Sequence, residues 1–256
     1  MTTVRPGRSA NGKDPPAIVN QRDQGMANKW IEIAQRLLMP HRCVVCGAPG
    51  AGRDLCKRCE SALPWLGAAC PLCALPADGV CGSCLRHPPP WKRQHALFRY
   101  EPPVSRLIHD LKFGSRLQNA RLLGGMLAEE VERRGCAAEG VMGVPLHPRR
   151  QRQRGFNQAH ELARVVAARL RLPLLTRRCE RLRWTTPQST LARRQRAANL
   201  RHAFRCGGRL PSRLLLVDDV VTTGGTVDAV TRSLLEAGAD SIEVWSLCRA
   251  LPAGER

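Results

Sequence analysis

Aromatic side chains are scarce: they make up 4% of the 256 residues, with a single Tyr. That scarcity argues against a protein that holds single-stranded nucleic acid by stacking bases on aromatic platforms. No uninterrupted apolar run approaches membrane-spanning length, and the N-terminus lacks the apolar stretch of a secretion signal. A soluble cytoplasmic protein without a membrane partner is the expectation. Acidic residues are also in deficit, at 21 Asp and Glu against 41 Lys and Arg, for a formal charge of +20. The deficit is steepest between Arg149 and Arg213, where 18 Arg and no Lys face only Glu161 and Glu180. Such a field concentrates polyanions, either nucleic acid or small phosphorylated ligands; an arginine-rich compositional background is the bland alternative. Two phosphate motifs are missing. No glycine-rich run ends in Gly-Lys-Ser/Thr, which excludes a Walker A loop, and the dinucleotide spacing GxGxxG does not occur.

What is present centres on Leu214 to Thr226. Leu214, Leu215, Leu216 and Val217 read as a short strand buried on both faces, as in a parallel sheet. Asp218 and Asp219 follow where that strand is expected to end. After Val220 and Val221 comes a hydroxyl- and glycine-rich turn, Thr222, Thr223, Gly224, Gly225 and Thr226. Val227, Val230, Leu234 and Leu235 then recur at helical spacing up to Gly238. Glycines allow close backbone approach, and the first amides of a helix are unpaired donors at the positive end of its dipole. The turn can therefore hold a phosphate. The carboxylates can accept from a sugar diol or hold Mg²⁺ through its water shell. Together they suit a ribose 5-phosphate; the plain alternative is a strand and tight turn with two surface aspartates.

Upstream, residues 1–27 mix Pro, Gly, Asn, Gln and charge without periodicity and are expected to be disordered. Trp30, Ile33, Ala34, Leu37 and Leu38 share one face of an expected docking helix. Eight cysteines follow as four CxxC pairs: Cys43/Cys46, Cys56/Cys59, Cys70/Cys73 and Cys81/Cys84. A CxxC turn holds two thiolates at tetrahedral spacing, and two turns complete a Cys₄ zinc site. Pairing by proximity predicts two structural zinc sites in tandem, the first four cysteines and the last four; interleaved pairing stays open. A disulfide framework needs an oxidising compartment for which the chain carries no signal, and an iron–sulfur cluster is a further alternative. Cys136, Cys179, Cys206 and Cys248 are scattered and read as packing residues.

Pro88-Pro89-Pro90 is a stiff linker. It divides residues 28–90, a helix plus double zinc ribbon, from a larger α/β domain at 91–256. In that domain Gln94 to Tyr100 is expected to be a strand, with helices through Val104–Leu111 and Leu117–Arg134. Val141 to Leu146 is another core strand. It runs into a Pro-bounded basic loop holding Pro145, Leu146, His147, Arg152 and Arg154, suited to a pyrophosphate. Ser241 to Leu247 is a last strand.

The motifs resemble, in order, those of the ComF/GntX family: the CxxC pairs, Pro-Pro-Pro, Phe98 to Glu101, Leu-Lys-Phe-Gly at Leu111 to Gly114, Val-Pro-Leu-His-Pro, Arg-Gly-Phe-Asn-Gln at Arg154 to Gln158, and Asp218 to Thr226. The last run resembles the phosphoribosyl pyrophosphate (PRPP) motif of type I phosphoribosyltransferases. The resemblance implies their parallel sheet flanked by helices, PRPP with Mg²⁺ as ligand, and displacement of pyrophosphate at the anomeric carbon. The acceptor is unidentified. It places the ribose hydroxyls on Asp218 and Asp219, the 5-phosphate on Thr222 to Thr226 and the pyrophosphate on the Pro145 to Arg154 loop. Thr186 to Asn199, with Trp184, resembles a flap over such a site. The resemblance also implies a link to DNA uptake in natural competence or to use of external DNA, through single-stranded DNA or a competence helicase. A non-enzymatic DNA- and partner-binding factor, with the PRPP site as sensor or relic, is the alternative.

Overall fold

The computed structural model describes residues 41–114, 116–182 and 203–252. The expected disorder up to Ala27, the helix at Trp30 to Leu38 and the Thr186 to Asn199 flap with Trp184 lie outside them. Strand β1 (Arg93–Arg99) leads to helices α3 (Val104–Phe113) and α4 (Leu117–Arg134), the two short helices α1 (Lys57–Ser61) and α2 (Gly82–Arg86) having come earlier. Then follow β2 (Gly140–Gly143), α5 (Pro148–Arg154), α6 (Gln158–Leu170), β3 (Cys179–Arg181), β4 (Phe204–Cys206), β5 (Arg213–Val221), α7 (Gly225–Glu236) and β6 (Ser241–Arg249).

β1, β6, β5 and β2 lie side by side in that order, every neighbouring pair parallel. A parallel sheet needs cover on both faces, and alternation along β5 shows how it is supplied. Leu215 and Val217 join the core beneath α3, α4 and α6, with Ile108, Leu111, Leu127, Leu162 and Val166. Leu214 and Leu216 join the opposite core under α7, with Val227, Val230 and Leu234. β6 is buried along nearly its whole length, because it lies inside the sheet between β1 and β5. Gly143 ends β2 for a spatial reason: a Cβ there would sit 2.6 Å from the backbone of Ala159 and His160, where α6 begins.

The ribbon packs directly on the sheet, and residues from Arg42 onward form one compact unit. It closes the exposed edge of β1: Leu66 N–H donates to Leu97 O (2.9 Å), Arg99 N–H to Pro64 O (2.8 Å) and Gln94 N–H to Pro71 O (2.9 Å). Covering a sheet edge removes a template for unwanted pairing. Trp65 stacks on buried Phe98, ring centroids 4.7 Å apart, and Cys43, Leu55 and Leu63 enter the main core. None of the described helices is long and apolar enough to cross a membrane.

β3 and β4 form a separate antiparallel pair in which Cys179 faces Cys206, and the two are joined by a disulfide. These two are therefore not isolated packing residues; antiparallel pairing holds their Cα atoms 4.0 Å apart across 27 residues of sequence. Cys248 is buried in the core and Cys136 half-buried beside it, as expected of packing residues.

Candidate functional site

β5 is longer than expected and runs through the acidic pair to Val221. β2 stops pairing at Gly143↔Val217, while β6 stays paired through Asp218↔Ser246 and Val220↔Cys248. Asp218 and Asp219 therefore sit at the C-terminal end of the sheet, beside the gap that β2 leaves. That is where open α/β sheets place their ligands.

Alternation sends the two carboxylates to opposite faces. Asp219 follows Leu215 and Val217 toward α3, where Lys112 Nζ meets its Oδ2 at 2.5 Å. Asp218 follows Leu214 and Leu216 toward the β3–β4 pair, where the field of the Arg181 guanidinium reaches it. Local backbone bonds tie the pair down: Asp219 N–H donates to Asp218 Oδ1 and Val220 N–H to Asp219 Oδ1, both at 2.9 Å. Burial and the adjacent Asp219 charge push the Asp218 carboxyl well above the usual carboxylate range, with Lys112 pulling the other way.

The turn behaves as its composition suggests. Gly224 caps α7 with φ +80°, a left-handed conformation that a side chain would strain. Among the described residues, none of the amides from Thr223 to Thr226 donates to a protein carbonyl, and Thr222 and Thr223 are exposed. These are the orphan donors of a helix start.

Facing the pair, the expected basic loop folds into α5 over Pro148–Arg154. His147 Nδ1 accepts from Arg149 N–H (3.2 Å), Pro148 stands at the first helical position and Gly155 closes the far end at φ +80°. Pro145 and Leu146 form the half-buried link from β2. Arg154 senses the Asp219 charge, donates to Gln158 Oε1 (3.1 Å) and lies over the Phe113 ring, 5.0 Å from its centroid. Arg152 contributes to the field around His147, whose pKa is lowered first by desolvation and then by Arg181, Arg149, Arg152 and Arg150. Phe156 packs against the core. Lys112 and Arg181 belong to the site as well. Nothing local marks either one; only the Leu-Lys-Phe-Gly match pointed toward Lys112.

The eight ribbon cysteines form two tetrads in sequential pairing: Cys43, Cys46, Cys56 and Cys59, then Cys70, Cys73, Cys81 and Cys84. In each, the sulfurs lie within 4.8 Å of one another, and Cys46–Cys56 and Cys73–Cys81 both approach to 3.7 Å. Tetrahedral Zn²⁺ with bonds of about 2.3 Å spaces its sulfurs by about 3.8 Å, so the tetrads fit it. Crowding splits the thiols. At Cys43, burial acts upward, but the amides of Cys56, Cys46 and Val45 win and bring it to about 6. Hydrogen bonding with Cys46, helped by desolvation, pushes Cys59 up to about 12. A dication at the centre relieves that conflict by stabilising all four thiolates.

An acidic pair at the carboxyl end of a parallel sheet, a glycine-bent helix start beside it and the nearby cations Lys112, Arg154 and Arg181 are the features of a phosphoribosyltransferase-type domain, here carrying a double zinc ribbon. The comparisons agree. Residues 34–93 match the double zinc ribbon domain, and residues 207–255 match the phosphoribosyl transferase domain. DNA utilization protein YhgH of Salmonella typhi is 39% identical over 228 residues, covering 84% of this chain and all of the relative. Competence protein F of Haemophilus influenzae is 34% identical, over 66% of this chain and 78% of the relative. Competence protein ComFC of Streptococcus pneumoniae is 28% identical, over 76% and 87%. The chain belongs to this family, the ComF/GntX proteins. A solved hypothetical protein from Neisseria gonorrhoeae with bound ppGpp aligns over 53% of this chain and 69% of its own, at 14% identity and a TM-score of 0.33, too loose to define a shared fold.

Proposed function

We propose that the domain binds PRPP with Mg²⁺ as a type I phosphoribosyltransferase does, within a role in using external DNA. The observation that carries this is the pairing of an open amide turn at Thr223 to Thr226 with a half-buried Asp218–Asp219 doublet one step upstream. The amides and threonine hydroxyls take the 5-phosphate, and the carboxylates take the ribose 2- and 3-hydroxyls. Arg154, Arg181 and Lys112 supply the cationic wall for the pyrophosphate, which the metal would accompany. Displacement at the anomeric carbon then needs little covalent help from the protein. Positioning, and cations placed where charge builds on the leaving pyrophosphate, supply the rate.

The DNA connection rests on relatives that are named for DNA utilization and competence. The arginine excess from Arg149 to Arg213 is compatible with a strand of nucleic acid nearby. The test is thermal melting with and without PRPP and Mg²⁺. A ligand at 100 times its Kd stabilises by about 2.7 kcal/mol, so the transition should rise by several degrees and Asp218→Asn/Asp219→Asn should abolish the rise. No shift in the wild-type protein would overturn the proposal.

A further inference from the structure

Two consecutive carbonyls of the second cysteine knuckle lead into the phosphate turn. Leu72 O accepts from Trp91 Nε1–H at 2.6 Å, and the edge of that indole lies 3.7 Å from where a Cβ on Gly224 would stand. Cys73 O accepts from Arg249 Nε–H at 2.7 Å. The same guanidinium turns its Nη1 onto the carbonyls of Val221 (3.0 Å) and Thr222, and onto Ala250 O at 3.2 Å. Arg249 is buried, at 6% exposure, so these bonds are made where water does not compete. One knuckle thus touches the turn at its first residue and at its centre, Thr222 through Arg249 and Gly224 through Trp91.

Among the described residues, the first knuckle makes no such link. Its Cys43 and Leu55 enter the core beneath α3, α4 and α6, and Arg53 bonds Glu129 on α4 (3.0 Å), on the face of the sheet opposite α7. The two metal sites are therefore unequal in what they hold.

We infer that the second cysteine tetrad, acting through Arg249 and Trp91 as positioning residues, sets the backbone of the phosphate turn, so that metal at this site and ligand at the turn are coupled. The ligand half of this inference rests on the PRPP reading; the mechanical half does not. A buried guanidinium that bonds carbonyls on two segments fixes their separation, and a lysine, with one compact ammonium, does not span both. By linkage, a metal that orders the knuckle favours the turn conformation to which the ligand binds, and a bound ligand slows metal loss in return.

The test is amide hydrogen exchange on the zinc-loaded full chain, without ligand, read on peptides carrying the amides that donate to the turn and the strand end before it, Asp228 N–H on Gly224 O (2.8 Å) and Ala250 N–H on Val221 O (3.0 Å). Arg249→Lys and Trp91→Phe, each keeping two zinc per chain, should speed exchange there and leave peptides of α4 and α6 unchanged. Cys84→Ser should do the same, whereas Arg53→Ala and Cys46→Ser should not. Unchanged exchange at Asp228 and Ala250 in Arg249→Lys, or equal effects from both knuckles, overturns the inference. PRPP affinity is the second readout: Arg249→Lys should weaken it by about tenfold or more, the scale of a lost charge-assisted hydrogen bond. Wild-type binding with undiminished affinity in Arg249→Lys also overturns it. If the wild-type protein binds no PRPP, the ligand reading fails alone, and exchange still decides the coupling.

Discussion

Replacing Lys112 with Met keeps the length of the side chain and removes its charge. The ion pair it breaks is tight and poorly hydrated: Nζ and Oδ2 are 2.5 Å apart, with side-chain exposures of 20% and 13%. A fully exposed pair would be worth at most about 1 kcal/mol, while stripping one partner from a buried pair costs about 3–5 kcal/mol. The exposures place this pair nearer the buried limit, and the loss is worsened because Asp219 is left beside Asp218 without its cation. A destabilisation of about 2–3 kcal/mol follows, which lowers the melting temperature of a domain this size by about 5–10 °C. Differential scanning calorimetry on zinc-loaded protein measures it. The double-mutant cycle supplies the sign: adding Asp219→Asn removes the stranded charge and should restore most of the lost stability. A shift below about 1 °C in Lys112→Met, or further loss on adding Asp219→Asn, would refute the assignment of Lys112 as the counter-ion of the pair.

Other consequences follow from the same geometry. Asp218 has a raised pKa in the folded state, so the native form binds its proton more tightly than the unfolded form. Stability attributable to it is present below the ordinary carboxylate range and is lost as pH rises toward its raised value. Asp218→Asn should flatten that decline and raise the melting temperature of ligand-free protein at neutral pH. Burial, with Arg134 and Arg93, holds His95 down at about 4, so its contribution is lost as pH falls below the ordinary imidazole range; His95→Gln should flatten the acid limb of a denaturation profile. Gly143→Ala forces a methyl against the Ala159–His160 backbone 2.6 Å away and should cost about 1–3 kcal/mol in chemical denaturation. Elemental analysis should find two zinc per chain, and chelation should release both with loss of the ribbon's contacts on β1.

The elements whose reasons are local were legible in the sequence. The run Leu214 to Val217 announces a doubly buried strand because four adjacent apolar residues suit a covered parallel sheet, and the CxxC spacing announces metal tetrads because short turns bring thiols together. The amphipathic spacing of Val104, Leu107, Ile108 and Leu111 gives α3 to within two residues. What escaped is what only the fold assembles. Lys112 lies more than a hundred residues from Asp219, and period-two alternation along β5 picks it out only once the strand is known to continue through the acidic pair. Arg181 was one of 18 arginines with no local mark to separate it from the rest. Cys179 and Cys206 looked scattered because antiparallel pairing between β3 and β4 is invisible before the chain is folded. Arg249 lies beyond the strand expected over Ser241 to Leu247, yet it is buried and bonds four carbonyls.

The claim beneath all of this is that the Asp218–Asp219 doublet and the Thr222 to Thr226 turn hold a sugar phosphate. Isothermal titration of the zinc-loaded protein with PRPP and Mg²⁺ tests it most directly, with ribose 5-phosphate and inorganic phosphate as competitors. The account predicts one site per chain, competition by ribose 5-phosphate stronger than by phosphate, and no measurable heat in Asp218→Asn/Asp219→Asn. Absence of binding in the wild-type protein, or binding indifferent to both substitutions, would contradict it.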